Sequence, residues 1–213
     1  MKTHPTQTFQ DEKLMFNSQK FMPTYILVAL NVAFYIFTSL VGGNFFNTDP
    51  EMIYRFGQVN RLVIYGGFYY QILTSIFVHG NIAHLFGNML FLVIFGLRSE
   101  ELFSLTEYLF IFFIGGLTGN LISLIVLPLD LPSVGASGAI FAMFGAVTIY
   151  TRRTISQSIV GALIYSFFLL FLSSGPNVNN FAHLGGLISG LAVGYILAVK
   201  RSKNTNYSIN YSY

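Results

Sequence analysis

Five long runs of this 213-residue chain contain no Asp, Glu, Lys or Arg: residues 21–48, 62–97, 108–129, 131–151 and 154–199. A helix needs about 20 apolar residues to cross the hydrocarbon core of a bilayer, and every one of these runs reaches that length. Charged residues make up 9% of the chain, against about 25% in an ordinary soluble domain. So few charges cannot cover a soluble surface, and a mean hydropathy of +0.62 agrees. Composition therefore excludes soluble enzymes, disordered chains and free nucleic-acid binders, and makes the lipid bilayer the first partner. The chain has no cysteine, which removes disulfides, thiolate metal sites and cysteine catalysis. It also has no Trp, so its 13 Tyr and 23 Phe must supply the aromatic belts at the membrane interfaces.

The charge-free runs predict an all-α, polytopic bundle of six spans over 24–42, 72–97, 105–127, 136–151, 156–172 and 180–199. The last run holds two spans, separated by the turn-forming SSGPNVNN at 173–180. Residues 43–71, rich in aromatic and amphiphilic side chains, form a long external loop between the first two spans. The expected division is a polar tail over 1–22, a membrane domain over 23–200 and a second polar tail over 201–213. The N-terminal residues carry no signal-peptide apolar region.

Six spans put both termini on one side. Lys2, Lys13, Lys20, Arg98, Arg152, Arg153, Lys200, Arg201 and Lys203 fall on that side, and Arg55 and Arg61 on the other. By the positive-inside rule both termini are cytoplasmic, and the expected location is the plasma membrane.

The few remaining charges also act as a ruler. Ser137 stands 15 residues before Arg152, ~22 Å at 1.5 Å per residue. His183 stands 17 before Lys200, ~25 Å, and His84 stands 14 before Arg98, ~21 Å. With a core of about 30 Å, the three share one depth in its outer third. Ionisable groups inside a membrane are costly and point to function, and independent ones have no reason to share a level.

Ser137 lies in GASG (135–138), where a helix N-terminus supplies free N–H groups and a positive dipole end to a developing oxyanion. Gly135 and Gly138 allow close backbone approach. Alone the motif is weak, because small residues beside serine are common in membrane helices. It is not the hydrolase elbow G-x-S-x-G, since Ala139 takes the last position. His183 lies in AHLGGLISG, where Ala182, Gly186, Gly190, Gly194 and Ala198 form a small-residue ridge. Gly138, Ala142 and Ala146 offer a matching series on the fourth span, and contact between the two would bring His183 within reach of Ser137. An interhelical hydrogen bond is the bland alternative for a lone histidine, and the shared depth favours a general base instead.

His84 and Asn88 stand one helical turn apart and share a face, which suits an oxyanion hole; a structural polar ladder is the alternative. His79, about 140° from His84 on a continuous helix, reads as a structural residue bonded to the external loop. No carboxylate occurs at this depth, so an enzyme here would use a Ser–His dyad. Phe141, one turn after Ser137, is placed to stack on the imidazole. No metal or cofactor is expected.

HGNIAHLFGN (79–88), GASG (135–138) and AHLGGLISG (182–190), in that order on the second, fourth and sixth spans, resemble the rhomboid family of intramembrane serine proteases. The resemblance covers about 57–199. It implies a six-helix bundle with Ser137 as nucleophile and His183 as base in a water-filled cavity open to the outside. His84, Asn88 and the Ser137 backbone N–H would stabilise the oxyanion; Gly186 and His79, from the reading of the residues above, support the site. The implied substrates are single-pass membrane proteins, cut in or near the transmembrane helix, with small residues favoured at the cleavage site. Two segments depart from the family pattern. Tyr70–Gln71 stands where Trp–Arg is common, and of Glu-x-Arg-x-Gly after the second span only Glu100 is kept. Both segments are structural in the family.

A catalytically inactive relative that binds transmembrane clients is the alternative; it would keep the bundle and lose nucleophile or base, and both are present. A transporter or metal channel using the histidines is disfavoured by the lack of membrane carboxylates and of broken-helix repeats. The oligomeric state is not legible in the sequence.

Overall fold

The computed structural model describes residues 22–154, 158–172 and 178–210. The polar tail expected before Met22 and most of the SSGPNVNN turn lie outside these residues. The chain is all-α apart from a two-residue antiparallel ladder. Four helices are long and apolar enough to cross a bilayer: α1 (Met22–Gly42), α5 (Ile82–Leu102), α6 (Leu105–Val126) and Asn180–Ser202 within α9 (Asn180–Asn210). Their outward faces carry exposed Leu40, Ile94, Phe110 and Ile125, an apolar surface suited to lipid and not to water. The protein is a multi-pass membrane protein.

The loop between α1 and α5 is built, not slack. It holds α2 (Pro50–Phe56), β1 (Gln58–Val59), α3 (Asn60–Gly66), α4 (Gln71–Thr74) and a 3₁₀ turn (Ser75–Phe77). Asp49 caps α2 through the Glu51 N–H, with Pro50 in the first turn, and Gly67 ends α3 at φ 74°. Gln71 is fully buried and anchors the loop. Its Oε1 accepts from the Val59 N–H at 3.0 Å, and its Nε2 donates to the Tyr54 carbonyl at 2.8 Å. The Tyr70 hydroxyl adds a bond to the Arg55 carbonyl at 3.0 Å. Thus the two residues that replace Trp–Arg tie the loop down by their own means.

Below the loop, a polar layer joins it to α6. Gln58 Nε2 donates to the Asn120 carbonyl, and Asn60 Nδ2 to the Ser123 carbonyl, both at 3.0 Å. Asn120 Nδ2 donates to the Ile72 carbonyl at 2.8 Å and the Ser75 hydroxyl at 2.9 Å. Each of these buried amides places its N–H donors on acceptors, while Gln58 Oε1 is left without a partner. β1 pairs with β2 (Pro132–Ser133), Gln58 opposite Ser133, so the loop also grips the segment leading to Ser137. Arg61 and Asp130 close the same join at the surface. The Arg61 hydrogen bond holds the Asp130 carboxyl below the usual carboxylate range; the tie is present above that range and lost as pH falls through the lowered value.

The second apolar run departs from the span expected over 72–97. Residues 71–77 form separate short turns, Val78 is extended, and α5 starts at Ile82 with Asn81 as its cap. The break at Gly80–Asn81 places His79 before the helix, so the 140° separation from His84 does not apply. Their rings meet edge-on, 5.1 Å apart. At the other end of the chain, α9 continues to Asn210, beyond residue 199 where the apolar run stops.

α7 (Ser137–Thr154) occupies the middle of the bundle. Gly138 to Ala146 are buried without a break, as expected of a helix covered on all sides. It lies against α5, α6, α9 and α8 (Ile159–Leu172). The small-residue series on α7 and α9 meet in register. A Cβ on Gly194 would stand 2.5 Å from the Ala146 carbonyl oxygen, and Gly186 and Gly190 lie directly on the Gly138 and Ala142 carbonyls. Backbone-to-backbone contact of this closeness is what glycine permits in membrane helices.

Candidate active site

A cavity of about 610 Å³ opens among α5, α7 and the start of α9. It is lined by Ser137, His183, His84, Asn88, Gly135, Gly138 and Phe141, together with Asn120, Ser133 and Asn179. Ser137 is the first residue of α7, preceded by Gly135 at φ 120°, a conformation that favours glycine. The Gly135 N–H donates to the Ser75 carbonyl at 2.9 Å, which hangs this turn from the loop scaffold. The N-terminal N–H groups of α7, lacking intrahelical acceptors, sit at the cavity with the positive end of the helix dipole.

His84 and Asn88 come from the first two turns of α5. The Asn81 side chain accepts the His84 N–H at 2.8 Å, and Asn88 Nδ2 donates back to the His84 carbonyl at 3.2 Å. The His84 ring packs on Gly135 so closely that a Cβ there would meet Cε1 and Nε2 at 2.9 Å. Replacing Gly135 with alanine therefore strains the backbone and pushes His84 away at once. Gly135→Ala is expected to lower the thermal midpoint by several degrees, since a strained position of this kind costs about 1–3 kcal/mol, with Gly87→Ala, whose added Cβ meets nothing within 4 Å, as the control.

His183 lies in the first turn of α9, and its ring stacks on Phe141 with centroids 4.6 Å apart at 26°. Its Nδ1 is buried with no hydrogen-bond partner. Among the described residues, no hydrogen bond joins the Ser137 hydroxyl to the His183 imidazole. Gly186 sits on Gly138 one turn below, so the two backbones touch beneath the pair. His79 does not line the cavity. It is buried behind His84, its carbonyl accepts from Thr48 in the loop at 2.6 Å, and neither ring nitrogen has a partner. No group of three or more His, Asp or Glu capable of holding a metal occurs among the described residues.

Sequence reasoning missed Asn179 and named Gln71 only as a departure from the family pattern, without its anchoring role. Asn179 was legible as a helix cap just before the last apolar run, but it stood inside a turn-forming segment and was read only as part of the turn. Nothing in the spacing marks Gln71, whose role appears once the loop is folded over it.

The rhomboid domain family matches residues 66–200. The chain belongs to the rhomboid family. It is similar to "Rhomboid protease GluP" of Bacillus subtilis, 32% identical over 198 residues, covering 90% of this chain and 38% of that one. It is also similar to "RHOMBOID-like protein 6, mitochondrial" of Arabidopsis thaliana, 32% identical over 163 residues, covering 73% and 53%. "Putative rhomboid protease YdcA" of Bacillus subtilis is 27% identical over 199 residues, covering 88% and 96%. The chain spans 38 to 58% of the length of the first curated relatives it matches. As a rhomboid it has the all-α polytopic membrane fold of that family, and membership is consistent with intramembrane proteolysis in general.

Proposed function

We propose that this rhomboid is an intramembrane serine endopeptidase that uses Ser137 and His183 to cut single-pass membrane proteins in or near their transmembrane helix. The observation that carries the reading is the convergence of Ser137, His183, His84 and Asn88 on one cavity, although they come from three separate helices. Ser137 Oγ attacks the scissile carbonyl and His183 takes its proton. As the C–N bond breaks, His183 gives that proton to the leaving amine. A water, deprotonated by His183, then attacks the serine ester, releasing the carboxylate product and restoring the hydroxyl. The oxyanion formed at each attack is met by the Ser137 N–H and by the His84 and Asn88 side chains. Phe141 fixes the plane of an imidazole that has no carboxylate to orient it. Catalytic hydrogen bonds are often open without substrate and tighten in the complex, and the mechanism requires Ser137 and His183 to meet once a substrate is seated. No cofactor takes part.

The proposed topology has six spans, α7 and α8 crossing with the four longer helices. Polar segments 1–22 and 201–213 flank a membrane domain over 23–200, with both termini cytoplasmic and the protein in the plasma membrane. The test is the purified wild type with a fluorophosphonate probe and a reporter substrate carrying small residues at its helix boundary. Labelling at Ser137 and cleavage, both abolished in Ser137→Ala, are expected. Absence of both from the folded wild type overturns the reading and leaves the inactive client-binding relative, which the open Ser137–His183 contact favours.

A further inference from the structure

Asn179 spends every polar group of its side chain on joining three pieces of the protein. Its Oδ1 accepts the Ala182 N–H at 3.0 Å, capping α9 one residue before His183, and its carbonyl accepts the His183 N–H at 3.2 Å. Its Nδ2 donates to the Ser133 hydroxyl at 2.6 Å and to the Ser123 hydroxyl at 2.7 Å. Ser133 lies in β2, four residues before Ser137, held in register opposite Gln58. Ser123 lies in α6 and itself donates to the Gly119 carbonyl at 2.8 Å.

A helix cap alone asks for one acceptor, which Ser, Thr or Asp supplies as well as Asn. The two lateral donors are an addition that capping does not explain. They fix the start of the His183 helix against the strand that delivers Ser137, beside the cavity that Ser133 and Asn179 both line. The rest of the Ser137 turn hangs from Ser75 through Gly135, and Asn179 adds a direct side-chain tie between the Ser133 strand and the start of the His183 helix. With its amide committed this way, Asn179 lines the cavity without a donor to spare for substrate.

We propose that Asn179 is a positioning residue that sets the separation of Ser137 and His183 through its bond to Ser133. The inference rests on the dyad reading given above. Misplacement of reacting groups by about 1 Å can cost as much as 100-fold in rate, so a loss of this link is expected in turnover and not in substrate affinity.

The experiment compares wild type, Asn179→Ser, Ser133→Ala and the double variant on the reporter substrate, with the thermal midpoint followed in the same detergent. Asn179→Ser keeps a capping oxygen on a side chain too short to reach Ser133, and Ser133→Ala leaves the cap untouched. Each single variant is expected to lower kcat about 10-fold with KM within about twofold of wild type. The double variant is expected to be no worse than the poorer single, because both cut the same hydrogen bond. Turnover within about twofold of wild type in Ser133→Ala, or losses that multiply in the double variant, overturns the proposal while the active wild type upholds the dyad. An inactive, folded wild type overturns the dyad reading and this inference with it.

Discussion

Replacing His183 with alanine is expected to lower turnover by about 10⁴-fold while leaving the protein folded. General-base catalysis contributes about 10²–10⁴-fold, and removing one member of a nucleophile–base pair can disable the other, because the two act as a unit. His183 is the group that can do this work from α9; the cavity there is otherwise lined by Val178, Asn179 and Ala182. The imidazole makes no hydrogen bond through Nδ1, so its loss strands no buried partner. What is lost in packing is the face of Phe141, stacked at 4.6 Å, worth about 1 kcal/mol. The thermal midpoint should therefore move by only a few degrees. Fluorophosphonate labelling of Ser137 should slow in step with turnover, since both need the hydroxyl proton removed. Unchanged cleavage by His183→Ala would take the base away from α9.

The contrast between these helices shows what the sequence could and could not reveal. α1, α5, α6 and α9 announce themselves by hydropathy because a wide arc of each faces lipid. α7 does not, because it is only 18 residues long and closes on Arg152 and Arg153, which lower its mean hydropathy. It was legible as the charge-free run over 131–151 that Arg152 and Arg153 end. The in-register pairing of Gly138, Ala142 and Ala146 with Gly186, Gly190 and Gly194 could also be read ahead, since spacing by four marks one helical face.

The start of α5 could not, because an apolar run says nothing of where a helix is interrupted. Only HGN at 79–81, a glycine followed by a capping Asn, hinted at the break. Placing His79 and His84 about 140° apart on one continuous helix was the consequence. The loop scaffold was the least legible part. Gln58, Asn60, Gln71, Asn120 and Asn179 bond to backbone carbonyls and hydroxyls far along the chain, and such bonds leave no periodic trace. Ser137, His183 and His84 were visible as candidates because polar groups at one depth are rare, and Asn88 because it shares a helical face with His84; the elements that aim them were not.

Replacing Gly190 with valine is expected to separate α7 from α9 and cost about 3 kcal/mol or more. A Cβ at Gly190 would stand 2.5 Å from the Ala142 Cα and overlap the Ala142 carbonyl. The obstacle is backbone, which cannot rotate aside as a side chain can, so the helices themselves must part. Parting them also lifts Gly186 from Gly138 and Gly194 from Ala146, forfeiting contact along the whole seam that holds His183 beside Ser137. For a chain of this size, about 3 kcal/mol corresponds to a fall of roughly 6–12 °C in thermal midpoint, and cleavage should disappear before the protein unfolds. Gly87 supplies the opposite case on α5, with nothing within 4 Å of its Cβ position. Gly87→Ala should keep or raise the midpoint, by up to about 1 kcal/mol in stability, because alanine restrains the unfolded chain and favours helix. If the two substitutions shifted the midpoint alike, the α7–α9 seam would not be the contact on which the bundle depends.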